Sequence, residues 1–248
     1  EIQKSGVIQS NFQLQNYRCF DKRYIYYDNN FVARLNTKVL RHLNFENTSI
    51  ISTRQLADDN FNHIFVSNII SDQCFISNKT KEGCQVFPLY IYPEFTTQQT
   101  IEQIDKRKPN LDTVIVNQIS KNLGLTYTIE KETTKGTFAP IDILDYIYAV
   151  LHSPAYREKY KEFLKIDFPR IPYPTNERTF WQLVALGSEI RQIHLLKSPI
   201  VEKYITQYPI DGDNKVDKIK FDENYERTEN GIIEMVNPAF RYGRVYIN

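Results

Sequence analysis

Two short polar stretches carry side chains suited to reading base edges in duplex DNA. In the major groove, arginine and lysine pair with guanine, and asparagine and glutamine pair with adenine. Arg54 and Gln55 directly follow an apolar run, which places two planar side chains at the end of a predicted strand. Asn78, Lys79 and Lys81 lie in a polar loop between two other apolar runs. The pattern predicts base contacts from Arg54 and Gln55 and mainly phosphate contacts from the two lysines.

A structural interpretation fits both stretches as well. In it, Arg54 and Gln55 pair with Asp58 or Asp59 and support the fold, and residues 78–81 form a solvated turn. The residues alone leave the two interpretations open.

The segment 17–23 is a third candidate, because aromatic side chains there flank Arg18, Asp21 and Arg23. Rings and cations in this arrangement stack on an extruded base or hold a nucleic-acid strand. The residue types favour a structural role, in which Asp21 pairs with an arginine and the aromatic rings pack beneath a sheet. Arg18 and Arg23 remain candidates for DNA contact.

Two segments approach catalytic motifs without completing them. Asn237-Pro238-Ala239-Phe240 lacks the second proline of the turn with which adenine methyltransferases hold a flipped base. Asp211, Asp213 and Lys215 have the residue types of a Mg²⁺ nuclease site, but such triplets arise by chance where 25% of residues are charged. No two glycines form a GxG cofactor loop. We interpret both segments as turns and predict no cofactor in this chain.

The four histidines are isolated in the sequence, and none has a partner at metal-ligand spacing. They are His42, His63, His152 and His194. His152 lies just before a predicted helix corner, which favours a role as a charged partner of the helix dipole. We therefore predict no catalytic residue and no metal site.

Composition narrows the class of protein further. A net charge of +1 excludes a free-standing, non-specific nucleic-acid binder, because phosphate contacts require a basic excess. No run approaches the roughly eighteen apolar residues of a membrane helix. Three cysteines without CxxC spacing are typical of a reducing compartment, so we expect a cytoplasmic protein.

Hydrophobic periodicity predicts an α+β fold. We predict that the chain divides into a strand-rich recognition part at 1–93 and a helical scaffold with C-terminal strands at 94–248. Residues 1–16 are predicted to be a polar lead-in, and residues 94–108 a connector. The two parts are expected to form one compact domain or two intimate subdomains.

The helical middle is the best-defined part of the pattern. A helix pair is predicted at about 140–166, with a corner at Ser153-Pro154, where serine caps the second helix and proline begins it. A long helix follows at about 177–196, and short strands return at the C-terminus. These helices must position the candidate loops.

Three long motifs resemble the C-terminal part of fused bacterial restriction-modification enzymes. The first is PIDILDYIYAVLHSPAYREKYKEFLKIDFPRIPYP at 140–174. The second is YRCFDKRYIYYDNNFVARLNTKVLRHL at 17–43, in which Cys19 stands where that family usually has proline. Residues 53–93 add RQ, FNHIFVSNIISDQ and FPLYIYP in family order. The chain is therefore similar to the target recognition domain of type ISP and type IIG-like enzymes.

The resemblance implies a function and its partners. In that family the region selects the duplex DNA sequence at which an N6-adenine methyltransferase and an endonuclease act. It implies a non-catalytic fragment joined to methyltransferase and nuclease modules in one bacterial polypeptide. S-adenosylmethionine and Mg²⁺ are then expected for the parent protein only. The alternative is a structural coupling module that holds those modules together without reading bases, and an independent enzyme is disfavoured by the missing motifs.

Overall fold

The computed structural model describes residues 11–28, 30–32, 36–56, 61–76, 83–94 and 107–203, and three strands between 220 and 246. Contacts divide the chain into two compact units, Glu1–Val201 and Glu202–Asn248. In these described ranges, no helix is long and apolar enough to cross a membrane.

The first unit opens with a hairpin of two antiparallel strands, β1 (Phe12–Arg18) and β2 (Asp21–Tyr26). Strand β1 also pairs in parallel with a short strand, β5 (Ile70–Ser71). The predicted polar lead-in is wrong at its end, because β1 begins at Phe12. Alternating side chains allow this strand to form once β2 lies beside it, with Leu14 opposite Tyr24.

A short helix α1 (Thr37–Leu40) and a 3₁₀ turn lead into a central three-stranded sheet. Strand β3 (Ser49–Ser52) lies between β4 (Ile64–Ser67) and β6 (Gln85–Pro88), and both pairings are antiparallel. Beyond β6, a short strand β7 (Tyr90–Ile91) pairs with β8 (Lys108–Pro109).

The next helix, α2 (Thr113–Leu123), is capped at both ends by adjacent residues. The Asp112 side chain accepts hydrogen bonds from the first backbone N–H groups, and Gly124 adopts a left-handed φ of 67° at the end. A short parallel pair, β9 (Thr126–Tyr127) and β10 (Thr137–Phe138), follows it.

Four helices form the scaffold: α3 (Pro140–His152), α4 (Pro154–Lys159), α5 (Lys161–Ile166) and α6 (Glu177–His194). The Ser153 hydroxyl accepts from the backbone of Tyr156 at 3.4 Å, as the predicted corner requires. The helix predicted after that corner is two helices, because Tyr160 leaves helical geometry at φ −109° and ψ 15°. Helices α3 and α6 pack along each other.

One large core joins the strands to the helices. Ile64 and Val66 of β4 belong to it, together with Leu144 of α3 and Phe180 of α6. The opposite face of the central sheet packs on a smaller cluster around Leu40, Leu43 and Ile70. The large core contains residues from both sides of position 93. The division of the chain into a recognition part and a scaffold at that position stays a prediction.

The second unit contains three antiparallel strands. Strand β11 (Lys220–Arg227) lies between β12 (Ile233–Met235) and β13 (Tyr242–Tyr246). These strands confirm the predicted β return, and the described elements together confirm the α+β class.

Candidate nucleic-acid interface

Next to the turn between β1 and β2, two arginines pack against one aromatic ring. The guanidinium carbon of Arg18 lies 4.0 Å from the centre of the Tyr17 ring, and that of Arg23 lies 4.1 Å from it. Each arginine also has a carboxylate partner, Asp72 for Arg18 and Asp21 for Arg23, both at 2.8 Å. Stacking and ion pairing together orient both guanidinium groups.

This turn also exposes aromatic rings. The prediction that the rings of residues 17–23 pack beneath a sheet is wrong for Phe20, which is 57% exposed, and Tyr24 beyond that segment is 76% exposed. Phe20 has a left-handed φ of 64° at the tip of the hairpin, and Tyr24 lies opposite Leu14 on an open face. The predicted pairing of Asp21 with an arginine is confirmed.

Cys19 in this turn is bonded to the body of the protein. Its Sγ lies 3.6 Å from the carbonyl oxygen of Phe75, to which it donates a weak hydrogen bond. Partial burial raises the pKa of this thiol. The side chain therefore anchors the turn in its uncharged form.

Arg54 lies at the end of β3, as predicted, but its partner comes from the helical scaffold. Its Nε donates to Asp167 at 3.1 Å, and 67% of its side chain stays exposed. Backbone hydrogen bonding at Phe168 and the bond from Arg54 lower the pKa of Asp167. Gln55 beside it is exposed. The alternative partners, residues 58 and 59, lie outside the described residues.

Asn78, Lys79 and Lys81 lie outside the described residues, but both flanks of their loop are fixed. On one side, the backbone of Phe75 donates to Asp72 at 3.1 Å. On the other, the backbone of Cys84 donates to Gln73 at 2.8 Å, and Gln85 pairs with Ser52 of β3.

The structure thus separates the predicted residues into two groups. Arg18 and Arg23 meet on Tyr17, whereas Arg54 is held by Asp167. The sequence pattern did not single out Asp72, because the pairing of β1 with β5 is what brings it to Arg18.

The described histidines have structural roles. His42 accepts from the backbone of Tyr92 at 3.0 Å, and His194 bonds to the Tyr148 hydroxyl at 2.6 Å. Burial lowers the pKa of His152 to about 4. The predicted role of His152 as a charged dipole partner is therefore wrong, since the ring is neutral at physiological pH.

The candidate metal and methyltransferase segments of the sequence differ in how far the structure describes them. No group of three or more His, Cys, Asp and Glu side chains there is placed to hold a metal ion. The Asp211, Asp213 and Lys215 cluster and the 237–240 turn lie outside that part.

The family of the chain follows from comparison with known proteins. A family model for the Type ISP C-terminal specificity domain matches residues 2–237, nearly the whole chain. The chain belongs to this family. Its membership confirms the resemblance that the three sequence motifs indicated, and no curated protein sequence matches the chain.

Two solved structures share the fold of this specificity domain. A cryo-EM structure of a DrdV–DNA complex is 23% identical, with a TM-score of 0.58, over 91% of this chain. A nuclease-deletion mutant of the Type ISP restriction-modification enzyme LlaGI, in complex with a DNA substrate mimic, is 24% identical, with a TM-score of 0.52, over 89%. The specificity domain corresponds to only 18% and 16% of those two chains.

Proposed function

We propose that this specificity domain recognises the duplex DNA sequence at which a restriction-modification enzyme acts. The observation that carries the proposal is the Tyr17 ring held between Arg18 and Arg23. A guanidinium with fixed orientation forms the bidentate contact that distinguishes guanine in the major groove, and it also binds phosphate. Two such groups on one exposed turn supply that chemistry within the reach of a single DNA groove.

Arg23 is the stronger candidate for a base contact. Its side chain is 60% exposed, and its Nε and Nη2 atoms donate to Asp21, which leaves Nη1 and the second hydrogen of Nη2 for a bidentate contact with a base. The bond to Asp21 raises the pKa of Arg23, so the group is always charged. Arg18 is more enclosed, at 30%, and is better suited to a phosphate.

The other predicted residues complete the interface. Arg54 and Gln55 contact bases. The loop that carries Asn78, Lys79 and Lys81 also contacts the DNA, and its two lysines contact mainly phosphates. The ion pair with Asp167 orients Arg54 without burying it, so the guanidinium remains accessible to DNA.

The chemistry of the enzyme belongs to other modules of the same polypeptide. S-adenosylmethionine binds to a methyltransferase module and Mg²⁺ to a nuclease module, and this chain binds neither. The small share of the DrdV and LlaGI chains that this domain covers supports such a division. The proposed setting is the bacterial cytoplasm.

A second function, coupling to those modules, is favoured by one face of the hairpin. Phe12, Leu14, Tyr24 and Phe31 are all exposed, by 44%, 37%, 76% and 52%. The register places the first three on one face of the sheet, and Phe31 contacts Tyr26 on that face at 4.9 Å. This face is mostly apolar, with the exposed Lys22 at one end of it, and an exposed apolar patch is suited to contact with protein.

The test is to map methylated motifs by long-read sequencing in cells that carry the full-length polypeptide. Arg23→Ala, Arg54→Ala and Lys79→Ala/Lys81→Ala are compared with Arg178→Ala, an exposed control on α6. A motif position that relaxes or changes in the first variants supports sequence reading by this domain. A motif that stays intact while modification falls overturns base reading and supports coupling.

A further inference from the structure

One side chain in the middle of β4 contacts rings from three separate parts of the chain. The Phe65 ring lies 5.5 Å from Phe20 of the hairpin turn and 5.5 Å from Phe75, both edge to face. It stacks on His194, the last residue of α6, at 4.9 Å and an interplanar angle of 11°. We call these four residues the aromatic hub.

The hub contacts the hairpin turn between Arg18 and Arg23 and the turn that carries Asp72, the partner of Arg18. Phe20 lies in the hairpin turn between Arg18 and Arg23. Phe75 belongs to the turn that carries Asp72, whose carboxylate binds Arg18, and the Phe75 backbone donates to the Asp72 carbonyl at 3.1 Å. A shift of the Phe65 ring would therefore move both turns.

The scaffold fixes the other side of the hub. The Tyr148 hydroxyl lies 2.6 Å from Nδ1 of His194, and the Tyr148 side chain in α3 is fully buried. Burial lowers the pKa of His194, so its ring is neutral at physiological pH and stacks on Phe65 without a desolvated charge. The hydrogen bond links the hub to the packed helix pair α3 and α6.

We propose that Phe65, held by His194, is a specificity-determining positioning residue that sets the position of the hairpin turn between Arg18 and Arg23 relative to the 72–75 turn that carries Asp72. The inference rests on the proposed function, because it concerns the same DNA-contacting turn. A bidentate contact to a base tolerates little misplacement, since hydrogen bonds weaken steeply with distance and angle. Residues that never touch DNA thus decide whether these arginines discriminate between bases.

The experiment measures binding of the full-length polypeptide to its mapped motif and to duplexes with single base-pair changes. Phe65→Leu removes the ring, and Phe65→Tyr retains it. We expect Phe65→Leu to lower discrimination at one or more positions by about tenfold, within the range that one bidentate contact supplies, and Phe65→Tyr to restore it. Unchanged discrimination in Phe65→Leu overturns the proposal.

A variant of a buried ring outside the hub serves as the control for a general loss of stability. Phe180 is 1% exposed and packs against Phe138, Tyr146 and Trp181 in the large core. Phe180→Leu should lower the melting temperature at least as much as Phe65→Leu without relaxing the motif. Equal relaxation in both variants would show a general effect of instability and overturn a positioning role.

A milder variant covers the case in which Phe65→Leu does not fold. Phe20 is more than half exposed, so Phe20→Leu keeps the core intact while removing one hub contact. It should relax the same base-pair positions to a smaller degree, and an unaltered profile would count against the hub. If Arg23→Ala also leaves the motif unchanged, the proposed function fails; if only Arg23→Ala relaxes it, the hub inference alone fails.

Discussion

Gly187 of α6 lies directly against the backbone carbonyl of Asp145 in α3. A Cβ atom at position 187 would lie 1.9 Å from that oxygen and 2.7 Å from its carbon. The two helices therefore approach through backbone rather than side chains. The same contact brings Arg191 to the Asp145 carboxylate, with bonds of 2.6 and 3.0 Å. This helix pair is the rigid support of the hub.

Gly187→Ala should destabilise the protein, although alanine is the better helix former. The clash is with backbone, so the helices must separate, at a cost of about 2–3 kcal/mol typical of overpacking. Urea unfolding measures the change, with Glu189→Ala, exposed on the same helix, as a control expected within about 0.5 kcal/mol. A higher unfolding midpoint for Gly187→Ala would contradict the observed approach of the helices.

Removing one partner of the buried pair Asp145 and Arg191 should lower the free energy of unfolding more than replacing both partners with apolar residues. Their side chains are 4% and 11% exposed, and burial raises the pKa of Asp145 despite the bonds from Arg191. Arg191→Met leaves an uncompensated carboxylate and should cost about 3–5 kcal/mol of unfolding free energy. The double variant Asp145→Leu/Arg191→Met should recover part of that loss. A double variant as unstable as the sum of the single ones would argue against coupling of the pair.

Stability should fall below neutral pH because His152 is buried in its neutral form. Its pKa is lowered from 6.5 to about 4, so the unfolded chain binds more protons between those values. The contribution of neutral His152 to the free energy of unfolding is fully present above pH 6.5 and is lost as the pH falls towards 4. Partial exposure limits it to about 1–2 kcal/mol. His152→Gln should therefore flatten the pH profile of unfolding free energy over this range, and a slope equal to that of wild type would contradict this account.

Lys79→Ala should weaken DNA binding by a similar factor for every sequence. A lost phosphate contact releases fewer counterions, so the slope of log K against log salt should fall by about 0.9. Binding of the full-length polypeptide over a salt series measures it, with Lys135→Ala, an exposed lysine, as the control. An unchanged slope would remove Lys79 from the interface.

The sequence by itself determined the elements whose signals are local. Proline at Pro140, serine at Ser153 and glycine at Gly124 mark helix ends through the geometry of their own backbone or side chain. Short apolar runs marked the central strands, and the ordered motifs indicated the family. The candidate residues Arg18 and Arg23 were also found by type alone, although their role in binding remains a prediction.

Only the tertiary structure decided which side chains meet. Arg54 and Asp167 are 113 residues apart in sequence, and no local pattern relates them. Burial of Arg191 depends on the close approach of the two helices at Gly187. In the sequence, Phe65 is an ordinary strand residue. Its contacts with the hairpin turn, the 72–75 turn and α6 exist only in the folded chain. Long-range packing set these contacts, because their free energy arises from surfaces that exist only once the chain has folded.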